Sequence, residues 1–219
     1  MATDPVVSKK IAEQLLQIKS IKLQPDKPFT WASGWKSPIY CDNRISLSYP
    51  KVRTYIRQAL VSAIEKQYGK PQVIAAVATA AIAQGALVAE AMGLPFVYVR
   101  ASAKDHGRKN LIEGEIRNDQ SVVVIEDLIS TGQSSLKAVQ ALREAGFNVK
   151  GLISIFNYGF EISKQNFEDA QCPLIALCTY SDLLSHALES GYIKEDDVEM
   201  LNQWRTAPEL WGQLSDDIK

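Results

Sequence analysis

The chain has 219 residues, 46% of them hydrophobic and 22% charged, and its formal net charge is −1. This length fits one large domain, or one domain with a small attached subdomain. A nearly neutral chain argues against nucleic acid or another polyanion as the main partner. Three widely spaced cysteines, Cys41, Cys172 and Cys178, argue against a disulfide framework or a zinc site and favour a reducing compartment. Residues 1–10 lack a signal core, and no apolar run approaches the roughly 18 residues of a membrane span, so we expect a cytoplasmic protein.

The first 70 residues predict two helices with a region of short strands between them. Residues 6–20 have apolar side chains on one helical stripe. Residues 28–46 are rich in aromatic residues, Ser, Gly and Pro, which indicates short strands and turns. A second helix is expected over 49–68, ending near Gly69 and Pro71.

Residues 70–180 alternate short apolar runs with helical segments. Runs of apolar residues without polar alternation are typical of strands buried on both faces. The predicted strands are Val73–Ala78, Phe96–Val99, Ser121–Ile125, Gly151–Phe156 and Leu174–Thr179. The predicted helices between them are Ile82–Met92, Ser134–Ala145 and Glu161–Ala170. Strand–helix–strand alternation implies parallel pairing with right-handed crossovers, so the fold class is α/β with a doubly wound, mainly parallel sheet.

The segment 100–119 breaks this alternation. It shows little periodicity and contains two glycines, Gly107 and Gly114. A loop of about 20 residues inside a compact domain is uncommon and is usually functional or disordered. Its first half is basic, with Arg100, Lys104, Arg108, Lys109 and also His106. On composition alone, a solvated charged loop without function remains an equal alternative.

The strand 121–125 is followed by Glu126 and Asp127, and then by a loop of small residues that leads into a helix. Ligands of open parallel sheets bind beyond the carboxyl ends of the strands, where a helix N-terminus offers free N–H groups and partial positive charge. Hydroxyls of Thr131, Ser134 and Ser135, and close backbone approach at Gly132, complete a phosphate cradle. The carboxylates suit a ribose diol or hydrated Mg²⁺. The plainer alternative is a helix cap preceded by two solvated acids.

Residues 122–134 resemble the phosphoribosyl pyrophosphate (PRPP) signature of the type I phosphoribosyltransferases. The resemblance implies that Glu126 and Asp127 hold the ribose hydroxyls and that the loop wraps the 5′-phosphate. The PRPP-binding residues implied in this stretch are Glu126, Asp127, Leu128, Ile129, Ser130, Thr131, Gly132, Gln133 and Ser134. Gln133 departs from the family, since many relatives have a second glycine there.

The segment 100–107 resembles the mobile catalytic loop of the orotate phosphoribosyltransferases, because Lys104 and His106 flank an aspartate ahead of Gly107. The resemblance implies that Arg100, Lys104 and His106 bind PRPP at its pyrophosphate and act in catalysis. It also implies that the loop serves the site of a neighbouring subunit, which requires a homodimer. Ala101 departs from the family, since many relatives have a basic residue there. Thr79 lies in a loop that relatives direct at pyrophosphate.

Residues 29–44, which include Ser-Gly-x-x-Ser-Pro-x-Tyr, resemble the base-recognition hood of the same family. On its own this stretch reads as a turn and a short strand with core aromatics. The resemblance implies that backbone groups of Tyr40 and Cys41 pair with the orotate ring, with Ser130 at the opposite rim. Ala32 replaces a lysine of some relatives, so the partner of the orotate carboxylate stays open, with Lys36 as one candidate.

The resemblance implies a pentosyltransferase of UMP synthesis that joins orotate to PRPP, giving orotidine 5′-monophosphate and pyrophosphate. We expect Mg²⁺ carried by PRPP and no metal bound directly by the protein. The predicted parts are an N-terminal helix and hood over 1–48, a core over 49–180 with its mobile loop, and C-terminal helices over 181–219. A different base, such as a purine, and a PRPP-binding regulator that contacts nucleic acid are the alternatives. The hood argues against the former, and the net charge against the latter.

Overall fold

A computed structural model describes residues 4–30, 34, 36–102, 111–115 and 117–211. Its helices are α1 (Pro5–Gln17), α2 (Pro50–Tyr68), α3 (Ile82–Met92), α4 (Gln133–Glu144), α5 (Glu161–Asp169), α6 (Tyr180–Glu189) and α7 (Glu195–Thr206). Its strands are β1 (Ile21–Leu23), β2 (Phe29–Thr30), β3 (Lys36–Ser37), β4 (Ile39–Cys41), β5 (Val73–Val77), β6 (Phe96–Val99), β7 (Ile112–Glu113), β8 (Ser121–Ile129), β9 (Asn148–Asn157) and β10 (Leu174–Thr179). A 3-10 helix spans Asn43–Ser48.

A six-stranded sheet in the order β10-β9-β8-β5-β6-β7 forms the centre of the fold. The neighbours from β10 to β6 pair in parallel, and β7 pairs antiparallel with β6. The predicted fold class is therefore confirmed. Within the segment 100–119, the structure adds the edge strand β7, which the sequence did not predict because two residues are too short for a periodic signal. The described N-terminal strands form two small antiparallel pairs, β1 with β4 and β2 with β3.

The two faces of the central sheet are both buried, as the continuous apolar runs predicted. On β8, Val122 and Val124 belong to the core that includes residues of α4 and α5. Val123 and Ile125 belong to the larger core that includes residues of α1, α2, α6 and α7. Across the described ranges, we find no helix with the length and hydropathy needed to cross a bilayer.

Three predicted boundaries are corrected by at least three residues, and one of them is the start of β9, which was predicted at Gly151 but lies at Asn148. The first helix was expected over 6–20 but ends at Gln17, and the chain then turns at Lys19, whose φ is 58°. Strand β8 runs to Ile129, four residues beyond the predicted end, because it keeps its register with β9 as far as the pair Ile129–Asn157. Glu126 and Asp127 therefore belong to the strand itself and do not follow it.

Candidate active site

The site lies where the order of the central strands reverses. From β5 the chain adds β6 on one side, and later places β8 on the other side. Ligands of doubly wound sheets bind at such switch points, beyond the carboxyl ends of the strands. The ends of β6 and β8 flank that of β5 and stand about 10 Å apart, because neighbouring strands are about 4.8 Å apart. The peptide bond between Ala78 and Thr79, just after β5, is cis.

The carboxyl groups of Glu126 and Asp127 differ in their surroundings. Glu126 is 5% exposed, and its carboxyl accepts hydrogen bonds from the Ser135 hydroxyl at 2.8 Å and the Asp127 amide at 3.0 Å. Burial, together with the charge of Asp127, raises the pKa of Glu126 well above its usual value. Asp127 is only half-buried, and burial raises its pKa as well. Interactions with the Glu126 side chain and with the backbone N–H groups of Asp127 and Leu128 lower the pKa in part. The pair therefore retains a proton more tightly than two free carboxyls.

Glu126→Gln is expected to stabilise the fold at the expense of activity. A raised folded-state pKa means that stability falls as the pH rises above the unfolded value, because the unfolded chain ionises first. Glutamine removes this penalty, since its amide can accept from the Asp127 N–H and donate to Ser135. We expect Tm to rise by a few degrees at pH 8 and the gain to shrink towards pH 4. In a protein of this size, each kcal/mol of added unfolding free energy raises Tm by about 2–4 °C.

Thermal unfolding of wild type and Glu126→Gln across that pH range measures the effect. Glu90→Gln is the matched control, because Glu90 is exposed on α3 and its replacement removes the same charge without relieving burial. An unchanged or lower Tm of Glu126→Gln at pH 8 would contradict the buried, proton-retaining state of this carboxyl.

The phosphate cradle consists of the loop after β8 and the start of α4. Gly132, at the N-cap, has a φ of 79°, and the helix begins at Gln133, which has no positive φ. The departure at Gln133 therefore places no strain on the loop. No described side chain caps the first turn, so its amides remain available to an anion. Ser135 was predicted to face the phosphate, but its buried hydroxyl instead donates to Glu126.

Helix α5 supports this loop from behind. The Asn166 amide donates to the Thr131 carbonyl at 2.9 Å. In a trans peptide the carbonyl and the following N–H point in opposite directions, so this bond turns the Gly132 N–H away from α5. The Phe167 ring packs so closely on Gly132 that a Cβ there would lie 2.5 Å from the ring. The loop therefore has room for an anion on one side only.

A cleft of about 430 Å³ opens beside β5 and β6. Its lining comprises Ala78, Thr79, Ile82, Tyr98, Arg100, Ala101, Ser102 and Glu113. Arg100 Nη1 lies 3.5 Å from Glu113 Oε1, and among the described residues no hydrogen bond reaches this buried nitrogen. Arg100 thus lines the cleft beside the ends of β5 and β6, and its binding to pyrophosphate stays a prediction. Lys104 and His106, predicted for the same anion, lie outside the described residues.

The hood strand β4 is joined to β1 with Tyr40 opposite Lys22. The backbone N–H of Asp42 donates to the Ser20 carbonyl, and the backbone N–H of Gln24 donates to the Pro38 carbonyl. In an antiparallel pair these bonds recur at every second residue, so the backbone groups of Tyr40 face β1 and those of Cys41 face away. Cys41 therefore fits the predicted backbone role better than Tyr40, which is 38% exposed and whose ring centroid lies 5.6 Å from that of Phe29.

The candidate cation for the orotate carboxylate, Lys36, is exposed and donates to the Thr30 hydroxyl at 3.0 Å. Ala32, where some relatives have a lysine, lies outside the described residues.

A contact that the sequence did not predict joins the hood to β8, since the Asn43 side-chain amide donates to the Asp127 carbonyl at 2.7 Å. Neither Asn43 nor Asn166 belongs to a repeated pattern, so no sequence signal marks them. Within the described ranges, no three His, Cys, Asp or Glu side chains cluster as a metal site.

Residues 47–172 match the family model described as "Phosphoribosyl transferase domain". The orotate phosphoribosyltransferase of Porphyromonas gingivalis is 54% identical over 206 residues, which cover 94% of this chain and 98% of that protein. Among solved structures, Leishmania donovani UMP synthase has a TM-score of 0.73 and 26% identity, with 90% of this chain and 42% of that chain covered. The Aeropyrum pernix orotate phosphoribosyltransferase has a TM-score of 0.73 and 23% identity, with 84% of this chain and 99% of that chain covered. A chain with these relatives, this sheet order and this PRPP signature belongs to the orotate phosphoribosyltransferase family.

Proposed function

We propose that this protein transfers the phosphoribosyl group of PRPP to orotate, giving orotidine 5′-monophosphate and pyrophosphate for UMP synthesis. The observation that carries the proposal is the junction of β8 and α4. There, a half-buried carboxylate stands beside a helix start whose amides no described side chain caps. Carboxylates suit the ribose hydroxyls and free amides suit the 5′-phosphate, so both ends of one sugar phosphate meet complementary groups.

The proposed roles of the other residues follow from the charge that develops during transfer. As the C1–O bond breaks, the sugar gains positive charge and pyrophosphate gains negative charge. Arg100, Lys104 and His106 stabilise the leaving pyrophosphate, and the proposal is supported by the position of Arg100 in the lining of the cleft. Cys41 binds the orotate ring edge through its backbone, with the Tyr40 side chain and Ser130 nearby. Orotate is an anion and attacks C1 without a strong general base.

Mg²⁺ is the proposed cofactor. Its preference for oxygen ligands and retained waters fits a site that offers the carboxylates of Glu126 and Asp127. When bound to PRPP it neutralises pyrophosphate charge. Asp127 is the described side chain best placed to meet its waters, because Glu126 is held inside by Ser135.

The direct test is to mix the protein with orotate, PRPP and Mg²⁺ and to follow orotate absorbance. Consumption of orotate is expected, with inorganic pyrophosphate released in equal amount. Adenine, hypoxanthine and uracil are the matched controls, and none should be consumed at a comparable rate. Turnover of a purine in place of orotate would assign the chain a different base. Folded protein that binds PRPP but consumes no base would indicate the regulator, for which salt-dependent binding to nucleic acid is the check.

We also propose a homodimer in which the loop 100–119 of each subunit completes the partner's site. A mixed dimer of Lys104→Ala and Asp127→Asn subunits then has one site with both defects and one site with neither. Each mixed dimer is expected to have up to about half of the wild-type activity, so random co-refolding, in which about half of the dimers are mixed, should recover about a quarter, although each parent is nearly inactive. Recovery is measured after co-refolding the two variants, with co-refolded wild type as control. No recovery from mixed dimers would show that each subunit uses its own loop.

The division into an N-terminal hood segment (1–48), a core (49–180) and C-terminal helices (181–219) also stays a proposal. It is supported by the two small N-terminal sheets, which lie outside the central sheet. A cytoplasmic location is proposed because Cys41, Cys172 and Cys178 are free thiols.

A further inference from the structure

Asn43 connects the hood to the end of β8 through a buried side chain. It is 2% exposed, and Nδ2 donates to the Asp127 carbonyl at 2.7 Å. Oδ1 accepts from the Cys41 thiol at 3.4 Å and lies 3.4 Å from the Ser20 hydroxyl, which bonds more closely to the Asp42 carbonyl at 2.8 Å. These partners fix the orientation of the amide, because a flipped side chain would set its oxygen against the Asp127 carbonyl.

The carbonyl that Asn43 holds belongs to the same planar peptide as the Leu128 N–H. In a trans peptide these two groups point in opposite directions. With the carbonyl held towards Asn43, the Leu128 N–H points to the other side, where it helps to lower the pKa of the Asp127 carboxyl against the effect of burial. Rotation of this peptide would break the bond to Asn43 and would turn the Leu128 N–H away from the Asp127 carboxylate.

The other side of Asn43 is equally constrained. Cys41 is half-buried, and burial of its thiol, followed by the charge of Asp127, raises the pKa of the thiol well above its usual value. The thiol therefore stays protonated and keeps donating to Asn43. Cys41 belongs to β4, the strand proposed to meet the orotate ring, so one side chain bridges the base strand and the ribose acid.

We propose that Asn43 is a positioning residue that clamps the Asp127–Leu128 peptide and thereby sets the Asp127 carboxylate for the ribose diol, in fixed relation to strand β4. This inference rests on the proposed role of Asp127. Asn43 is not proposed to contact either substrate, and its effect on PRPP passes through the Asp127 carboxylate.

The test introduces Asn43→Ala into two proteins, the wild type and the Asp127→Asn variant, and compares each product with its parent. Binding of PRPP with Mg²⁺ is measured by calorimetry, and KM and kcat are measured alongside. In the wild-type background, Asn43→Ala is expected to weaken PRPP binding about tenfold, the size that coupled neighbours show. In the Asp127→Asn background the same change should alter PRPP binding by less than about twofold, because the group it positions is already impaired.

Ser46→Ala separates positioning from general loss of stability. The buried Ser46 hydroxyl donates to the Asn43 carbonyl at 2.6 Å, so its removal loosens the same segment without touching Asp127. We expect Ser46→Ala to lower Tm but to leave PRPP binding within about twofold of wild type, as for a change outside the coupled pair.

Three outcomes would overturn the inference. Equal losses from Asn43→Ala in both backgrounds would show that it does not act through Asp127. A lower Tm of Asn43→Ala with unchanged PRPP binding would make Asn43 a purely structural residue. Unchanged PRPP binding in Asp127→Asn alone would instead remove Asp127 from the ribose site, and so would contradict the proposed role on which the inference rests.

Discussion

Lys104→Ala is expected to lower kcat by about 10²–10³-fold, the range seen when a group that stabilises transition-state charge is removed. The orotate Kd should stay within about twofold, since a contact that strengthens only as charge develops adds little to ground-state binding. Steady-state kinetics give kcat, and equilibrium titration gives the orotate Kd. Lys104 lies two positions after Ser102, the last described residue that lines the cleft, so the proposed pyrophosphate role places it next in sequence to that cleft.

Lys150→Ala is the matched control for this prediction. Lys150 is exposed near the amino-terminal end of β9, whereas the site lies at the carboxyl ends of the strands. Its replacement removes the same charge and should leave kcat unchanged. A parallel fall of kcat and orotate affinity in Lys104→Ala would assign Lys104 to substrate binding and not to the developing charge.

The fold could be predicted where the sequence pattern is long and local. Strands β5 and β8 are continuous apolar runs, and both faces of each pack into a core. The end of β8 could not be predicted, because it depends on register with β9, a strand about 25 residues later in the chain. Strand β7 was missed for a related reason, since only pairing with β6 makes Ile112–Glu113 a strand.

The candidate site could be predicted where its residues are contiguous. Glu126, Asp127 and Gly132 lie within one strand-loop-helix unit, so their proximity follows from local structure alone. The bonds from Asn43 to β8 and from Asn166 to Thr131 span 84 and 35 positions and involve single side chains. A lone asparagine gives no periodic signal, so only the packing of the elements shows what it holds. The same holds for Ser135, whose partner is fixed by the angle between β8 and α4.

The second large effect is expected from Gly132→Ala, which changes the cradle by one methyl group. A left-handed φ of 79° costs an L-residue about 1–2 kcal/mol. The added Cβ would also lie 2.5 Å from Phe167 Cε2, and overpacking of this kind costs about 1–3 kcal/mol more. Either the loop or the ring must move. Because Asn166 and Phe167 hold the loop from the same helix, we expect the loop to move and PRPP affinity to fall at least about tenfold.

Gly191→Ala isolates the first of these two costs, because Gly191 has a φ of 70° but nothing within 4 Å of an added Cβ. The free energy of unfolding of Gly191→Ala should fall only by the cost of backbone strain, about 1–2 kcal/mol, and its PRPP affinity should be unchanged. Gly132→Ala combined with Phe167→Leu removes the clash, and the left-handed strain at residue 132 then persists only if the loop keeps its conformation. Urea unfolding and PRPP titration of the three variants then separate the effects. Recovery of both stability and affinity in the double variant would assign the glycine to packing against Phe167. Recovery of stability alone would assign it to the backbone conformation that aims the amides of α4 at the phosphate. We expect recovery of stability alone, because the Gly132 N–H and the amides of α4 can meet one anion only while residue 132 stays left-handed.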